Sequence, residues 1–353
     1  MSALEKNVMA PAEATDIITA AFDDLNDQMP FSEVFPMKST NGDTTVRWTP
    51  IVPARETDTM LFRGWDAEAG YLKTSEVSNE VFTGLIPLSK KAHVSERDLI
   101  GHVGDSNFLR DKLTAQITQL GQEAALRIEL LRVKALVDAK FPVEENNISL
   151  NWDFRRPSSL QDVAPSKKWG TATATPLKDI KNWVKLIVAE QGRVPSAVLT
   201  TSAVLEALST NAEIITAYTG LASTNLPSFI SHEAVKSVLA AQCGLTDVRE
   251  VDLTYTEVER ANGIILPVAV STLVPDNTFV MFSSYNDVNL GFTASGPTVE
   301  ATNPEYEINK ADNSGMIAYV LSDNAPARYD VWANGTMIPV LQQAVSTLKA
   351  NVL

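Results

Sequence analysis

The sequence predicts an α+β protein in which one very long helix lies between extended segments and a unit of alternating helices and strands. From about 107 to 141, apolar residues recur every three or four positions, which indicates a helix of unusual length. After residue 176, capped helices alternate with short apolar runs, a pattern typical of mixed helix and sheet packing. The chain has 353 residues, enough for two packed units.

Residues 1–44 are predicted to form an acidic N-terminal arm that contains one helix. Pro11 is well placed to begin this helix, because its fixed φ suits a first helical turn. The apolar side of the helix would consist of Ile18, Phe22, Leu25 and Met29. Residues 1–35 carry seven acidic residues and one basic residue, a local charge of −6. Two interpretations stay open: a solvated helix face, or an arm that binds a basic surface of a neighbour.

Residues 45–94 are predicted to form one extended β-hairpin. Strand-like segments at about 45–51 and 81–94 flank a long loop, residues 55–70, that shows neither strand alternation nor a helical stripe. The bulky apolar residues of this loop are Met60, Leu61, Phe62 and Trp65. Such a composition is unlike that of a disordered segment. We therefore expect these side chains to be buried against another surface.

The long helix, at about 107–141, has one continuous apolar stripe. Its members are Leu109, Leu113, Ile117, Leu120, Ala124, Ile128, Leu131 and Ala135. At 1.5 Å per residue, the helix would be roughly 50 Å long. A coiled coil is the alternative for any long striped helix, but the stripe lacks clean heptads.

The segment after the long helix, about 144–174, is predicted to be an irregular second loop. Residues 176–296 are predicted to form the α/β unit. It would contain a helix beginning at Thr175-Pro176, a strand at 196–200, a helix from Ser202, a helix between Ser231 and Gly244, and extended runs that include 278–285. The tail is predicted to form a strand, a turn at Asn334-Gly335 and a short final helix.

Motifs that indicate catalysis or a cofactor are missing from the sequence, so we expect no enzyme, no cofactor and no metal site. Neither phosphate-binding glycine motif occurs, and Gly101 to Gly104 make at most a weak anion site before the long helix. Cys243 and His232 could be a nucleophile and base, but they fall at opposite ends of one predicted helix, about 16 Å apart. A buried structural cysteine is the preferred interpretation.

The charge and hydropathy patterns also limit the possible partners. A net charge of −14 argues against a nucleic-acid-binding face, because such faces replace phosphate counterions with Lys and Arg. No run approaches 18 consecutive apolar residues, and the N-terminus lacks the pattern of an export signal. We therefore expect a protein made in the cytosol that does not bind a membrane. Its protruding apolar parts would need to be covered by other copies.

The order of parts and three segments resemble the major capsid (head) protein of a tailed double-stranded DNA bacteriophage of the lambda-like type. The segments are VPSAVLTTSAVLEALSTNAEI (194–214), LVPDNTFVMFSSYNDVNLGFTASGPT (273–298) and ANGTMIPVLQQA (333–344). The resemblance implies the tailed-phage capsid fold. Its parts would be an N-terminal arm (1–44), an extended loop (45–94), a peripheral domain with a spine helix (95–175 and 297–326) and an axial domain (176–296 and 327–353).

The resemblance also implies a structural role in a virion that is assembled in the host cytoplasm. Hexamers and pentamers would build an icosahedral shell that encloses double-stranded DNA without binding it specifically. Partners would be further copies, a separate scaffolding protein, a portal and, as an optional addition, a cement or decoration protein. The subunit interface would be formed by Arg55, Met60, Leu61, Phe62, Arg63, Trp65 and Tyr71 of the loop and by Phe22, Phe31 and Phe35 of the arm.

Two rival functions stay open. A bacterial encapsulin compartment would share the fold and would contain a cargo enzyme in place of a genome. An α/β enzyme of unrecognised type would bind a small molecule in residues 176–296 and would be a monomer in solution.

Overall fold

The computed structural model describes residues 3–49, 81–102, 105–191, 193–221, 226–252, 274–308, 315–324 and 327–353. The helices are α1 (Pro11–Gln28), α2 (Glu96–Ile100), α3 (Ser106–Asp138), α4 (Pro176–Gln191), α5 (Ser202–Ser209), α6 (Ala212–Thr219), α7 (His232–Cys243) and α8 (Val299–Thr302). The strands are β1 (Ala3–Leu4), β2 (Met37–Ser39), β3 (Thr45–Trp48), β4 (Val81–Gly84), β5 (Pro87–Val94), β6 (Lys140–Glu145), β7 (Ile148–Asp153), β8 (Ala197–Thr200), β9 (Asp247–Glu250), β10 (Thr278–Phe282), β11 (Gly291–Gly296), β12 (Met316–Asn324), β13 (Ala327–Leu341) and β14 (Leu348–Asn351). In these parts of the chain, no helix has the length and apolar character needed to cross a bilayer.

The long helix α3 has 33 residues, which confirms the predicted spine helix. It begins after Asp105, whose carboxylate accepts hydrogen bonds from the backbone N–H groups of Asn107 and Phe108. It ends where Ala139 adopts the left-handed conformation, with a φ of 51°. Of the predicted stripe, only Leu109 is half-exposed, and the other seven members are buried. The helix therefore packs through the face that the sequence indicated.

A six-stranded sheet provides the main surface against which α1 and α3 pack. Its strand order is β1-β12-β13-β11-β2, and β5 also pairs with β13. Alternate residues of β12 belong to different apolar clusters: Met316, Ala318 and Val320 share a cluster with α1 and α3, whereas Ile317 and Tyr319 face a smaller one. This alternation is expected for a strand that is covered on both faces.

The α/β unit is built on a four-stranded sheet with the order β14-β10-β8-β9. One face of this sheet, which includes Phe279 and Met281, shares an apolar cluster with α4, α5, α6 and α7. The other face, which includes Leu199, Val280 and Phe282, shares a cluster with α1, α3 and the six-stranded sheet. The two units are therefore joined by apolar packing.

The sheet pairing divides the ranges expected for the axial domain between the two sheets. Of residues 327–353, β13 is a central strand of the six-stranded sheet and only β14 joins the four-stranded one. Strand β11 also lies in the six-stranded sheet, although residues 176–296 were expected to form the other unit. Long-range hydrogen bonding decides these assignments, and neither composition nor periodicity reports it.

At its base, the predicted hairpin of residues 45–94 ends at Gly84, before the predicted limit. Strand β3 pairs with β4, from Thr45 opposite Gly84 to Trp48 opposite Val81. Strand β5 instead pairs with β13 in the large sheet. The segment after α3, predicted to be irregular, begins with the hairpin β6–β7, whose turn residues Asn146 and Asn147 have φ values of 49° and 65°.

The tail differs from the predicted strand, turn and helix. Strand β13 runs without interruption through Asn334 and Gly335. A Cβ atom on Gly335 would lie 2.6 Å from the carbonyl oxygen of Gly315, so this glycine permits close strand approach and makes no turn. A 3₁₀ turn at Ala344–Ser346 and strand β14 replace the final helix.

Candidate assembly surfaces

The predicted interface residues divide into two groups. Those of the loop, Arg55, Met60, Leu61, Phe62, Arg63, Trp65 and Tyr71, lie outside the described residues. The three from the arm, Phe22, Phe31 and Phe35, are 0–1% exposed and belong to the chain's own apolar core. In this conformation their own chain covers the three rings, and their assignment to a subunit interface stays a prediction. Helix α1 packs on α3, and burial against the same chain already removes these rings from solvent.

The root of the extended hairpin, β3 with β4, has one buried and one exposed face. Val46, Trp48 and Thr83 are buried, whereas Arg47 and Phe82 point outward from opposite positions. Successive side chains along a strand point to opposite faces, which produces one buried and one exposed face. Phe82 is 69% exposed. The outward face therefore offers an aromatic ring beside a guanidinium group.

The buried face of this root is held by an aromatic cluster. The ring of Trp48 lies 6.4 Å from that of Trp152 in an edge-on arrangement and 6.3 Å from that of Phe154. Such contacts favour a single orientation for the large rings. The cluster joins the hairpin root to the segment that follows α3.

A second exposed apolar surface lies on the α/β unit, between α6 and α7. Its exposed members are Tyr218 in α6, Leu221 just after α6 and Phe229 just before α7, and Phe229 is 68% exposed. Neither these residues nor Phe82 were predicted from the sequence as surface contacts. A usable signal was available for Leu221 and Phe229, because these bulky apolar residues stand just outside the ends of α6 and α7.

Buried charges connect the long helix to the segment that follows α1. Glu129 accepts a hydrogen bond from the backbone N–H of Phe31 at 2.8 Å and lies 3.3 Å from Arg132. Arg132 donates from Nε to the hydroxyl of Thr293 at 2.9 Å. Burial raises the pKa of Glu129 against the lowering effect of Arg132, and burial also lowers the pKa of Arg132.

Arg156 closes the C-terminal end of the long helix. Its guanidinium group donates to the backbone carbonyls of Leu136 and Val137, and its Nε donates to the hydroxyl of Thr347 at 2.8 Å. These carbonyls have no partners within the helix, so a cation is well suited to satisfy them. Burial lowers the pKa of Arg156 to about 10, although the nearby aspartates oppose the shift.

The acidic residues of the N-terminal region partly pair within their own chain. Glu13 forms an ion pair with Arg110 of α3. Glu33 lies 2.9 Å from Arg249, whose guanidinium also stacks 3.8 Å from the ring centroid of Tyr285. These contacts give two of the seven acids an intrachain partner.

The structure also shows where the two candidate reactive residues lie. His232 and Cys243 begin and end α7, so the helix separates them as expected. Burial raises the pKa of the Cys243 thiol to about 11, which opposes formation of a thiolate nucleophile. Within the described ranges, no group of three His, Cys, Asp or Glu side chains could hold a metal ion.

A long helix on an extended sheet, a hairpin root with an exposed face and an adjoining α/β unit define a capsid subunit fold. The chain belongs to the phage major capsid protein E family, whose model matches residues 90–350. The protein is therefore a structural capsid protein of a tailed bacteriophage. Comparison with curated proteins gives no match.

Solved structures show the same fold at low sequence identity. A protein assigned to the capsid of a prophage in Escherichia coli CFT073 is 14% identical, with a TM-score of 0.57 and coverage of 100% of both chains. A phage-related protein from Bordetella bronchiseptica RB50 is 10% identical, with a TM-score of 0.54 and coverage of 95% of both chains. The SrpI encapsulin of Synechococcus elongatus PCC 7942 is 9% identical over 91% of this chain and 86% of its own, with a TM-score of 0.44.

Proposed function

We propose that this protein assembles with its own copies into hexamers and pentamers that close into an icosahedral shell around packaged double-stranded DNA. The observation that carries the proposal is the presence of large exposed aromatic side chains, Phe82 and Phe229, on two different parts of one subunit. A closed array needs each subunit to have more than one contact surface. Exposed aromatic residues are typical of surfaces that are covered on association.

The predicted contacts of the loop belong to this proposal. Met60, Leu61, Phe62, Trp65 and Tyr71 would pack on an adjacent subunit. Arg55 and Arg63 would meet acidic groups there, and the net charge of −14 makes such groups plentiful. Because each contact is modest, multivalent association of many subunits would supply the stability of the shell.

Other partners and the place of assembly are also proposed. Assembly would occur in the host cytoplasm with a separate scaffolding protein and a portal, and a cement or decoration protein could join afterwards. The acidic chain would enclose DNA without binding it, because like charges repel. This role requires no catalytic step by the subunit.

Negative-stain electron microscopy of the purified protein tests the proposal. We expect wild-type protein to form closed particles, and Phe82→Asp to reduce particle formation at least tenfold while its thermal unfolding stays close to wild type. The matched control, Phe82→Leu, keeps an apolar side chain at the same position and should still assemble. Wild-type protein that remains monomeric over a wide concentration range, with or without a scaffolding protein, would contradict the proposal. A co-purified cargo enzyme in place of DNA would favour the encapsulin alternative.

A further inference from the structure

Residues 30–40, here named the strap, connect α1 to the root of the extended hairpin. The strap is bound to β11 by backbone hydrogen bonds: Thr293 N–H donates to Pro36 at 2.9 Å, and Thr40 N–H donates to Ser295 at 2.8 Å. Strand β2, within the strap, pairs in parallel with β11. Residues 41–44 then lead directly to β3. The position of the strap therefore limits where the hairpin can leave the body.

Two charged side chains of α3 hold the same strap from the other side. Glu129, 3% exposed, accepts the N–H of Phe31, and Arg132, 0% exposed, lies 3.6 Å through Nη2 from the sulfur of Met37. Arg132 also binds the Thr293 hydroxyl, which in turn donates to the carbonyl of Phe35 at 2.9 Å. The pair thus contacts the strap directly at Phe31 and Met37, and through Thr293 at Phe35.

Stability alone does not account for placing these charges in the core. A buried ion pair loses its hydration, and replacing both partners with apolar side chains of similar size is often neutral or stabilising. Apolar side chains could fill the space, but they could not make directional hydrogen bonds to the Phe31 N–H or to Thr293. The pair therefore adds directional hydrogen bonds to the core, which apolar packing alone does not provide.

We propose that Glu129 and Arg132 are positioning residues that fix the strap, and with it the exit direction of the hairpin, and so set the geometry of the assembled shell. The inference rests on the proposed assembly function. It assigns an effect on shell geometry to residues that are enclosed within the subunit. The direction in which the hairpin leaves the body would depend on these bonds, because only residues 41–44 separate the strap from β3. A displacement of the strap would therefore also move β3.

The test replaces both charges at once with Glu129→Leu and Arg132→Met in the full-length chain. The matched control is Glu233→Leu with Lys236→Met, an ion pair of the same spacing on α7 with an N···O distance of 2.8 Å. Hydrogen exchange of isolated subunits reports on the strap, and electron microscopy of assembled material reports on particle diameter. Thr293→Val is a second variant that removes only the bridging hydroxyl. If the double variant fails to fold, the same two measurements on Thr293→Val test the inference.

We expect the double variant to unfold near the wild-type temperature while the Phe31 amide exchanges about tenfold faster, the change expected when one hydrogen bond is lost. Its particles should have a broader range of diameters or remain open, whereas the α7 control should match wild type in both measurements. Thr293→Val should give a smaller change in the same direction. Unchanged strap exchange, or particles of wild-type diameter from the double variant, would overturn the inference. If wild-type protein forms no particles, the proposed function fails, and the exchange result still decides whether the pair positions the strap.

Discussion

The two halves of the long helix α3 are built differently. In the N-terminal half, the buried residues among 107–120 are Leu113, Ile117 and Leu120, so this part of the helix has one buried edge and an open polar side. In the C-terminal half every residue from 124 to 137 is buried except Arg127 and Lys134, which are partly exposed. One continuous helix therefore passes from an amphipathic to an enclosed environment.

The difference shows how far a periodic pattern describes burial. The apolar stripe identifies the face that contacts the first packing layer along the whole helix. In the C-terminal half, further elements cover the remaining faces, and Glu129 and Arg132 become buried although their types favour solvent. Removing one partner of an electrostatic contact should therefore cost much more in the C-terminal half than in the N-terminal half.

The largest effect is expected for Arg156→Met, at the enclosed end of the helix. The substitution removes the donors to the carbonyls of Leu136 and Val137 and leaves these buried acceptors without their partner. We expect a loss of about 3 kcal/mol in the free energy of unfolding, measured by urea denaturation. Arg155→Met, the same change at an exposed neighbouring position, is the control and should cost less than about 0.5 kcal/mol. Equal losses for the two variants would contradict the comparison.

A smaller effect is expected for Gly121→Ala, where the two halves meet. The added Cβ would lie 2.8 Å from the backbone carbonyl oxygen of Ile18 and 3.1 Å from the Cβ of Ala21, so α1 must move. Overpacking of this kind costs about 1–3 kcal/mol, partly offset by the higher helix propensity of alanine, about 1 kcal/mol. Ala115→Gly, at an exposed position of the same helix, measures the propensity effect alone. A Gly121→Ala variant more stable than wild type would show that α1 is not tightly packed there.

Acid should weaken the C-terminal end of the helix through Asp162. Burial acts to raise the pKa of Asp162, but hydrogen bonds from Gln161 and Lys349 and the charge of Lys349 outweigh it and hold the pKa below its usual value. Lys349 also lies 2.7 Å from Asp138 at the helix end. A depressed carboxyl pKa contributes stability above the unfolded-state value of about 4, and this contribution is lost as the pH falls through the folded-state value.

The matching measurement compares wild type with Asp162→Asn between about pH 6 and pH 2. Wild type should be more stable at the upper end, and the difference between the two proteins should shrink as the pH falls below about 4. The effect should be small, because the Asp162 side chain is half-exposed. A difference that stays constant over this range would show that the carboxylate is not stabilised by its partners.

The smallest effect is expected in the N-terminal half, for the ion pair of Arg110 with Glu13. Both side chains are partly exposed, so water screens the attraction. A double-mutant cycle with Arg110→Ala and Glu13→Gln should give a coupling energy below about 1 kcal/mol. A coupling above about 2 kcal/mol would mean that this half of the helix is electrostatically as enclosed as the other.

The sequence supported a good part of the fold and less of the candidate surfaces. Helices α1, α3 and α7 are confirmed near the predicted bounds, because stripes and caps such as Ser231 and Gly244 act within a few residues. The inward position of Phe22 and Phe31 was missed, since an apolar residue does not show which chain covers it. The exposure of Phe82 and Phe229 also depends on which elements lie around them. The contacts of the loop residues stay predictions.

By itself, the sequence determined where α1, α3 and α7 begin and end, how long the central helix is, and that the chain is strongly acidic, because these depend on local interactions and on composition. Only the tertiary structure decided that β13 lies at the centre of the six-stranded sheet, that Gly335 permits a close approach instead of a turn, and that Glu129 and Arg132 are buried in the core. Each of these depends on contacts between residues far apart in the chain, which no local pattern encodes.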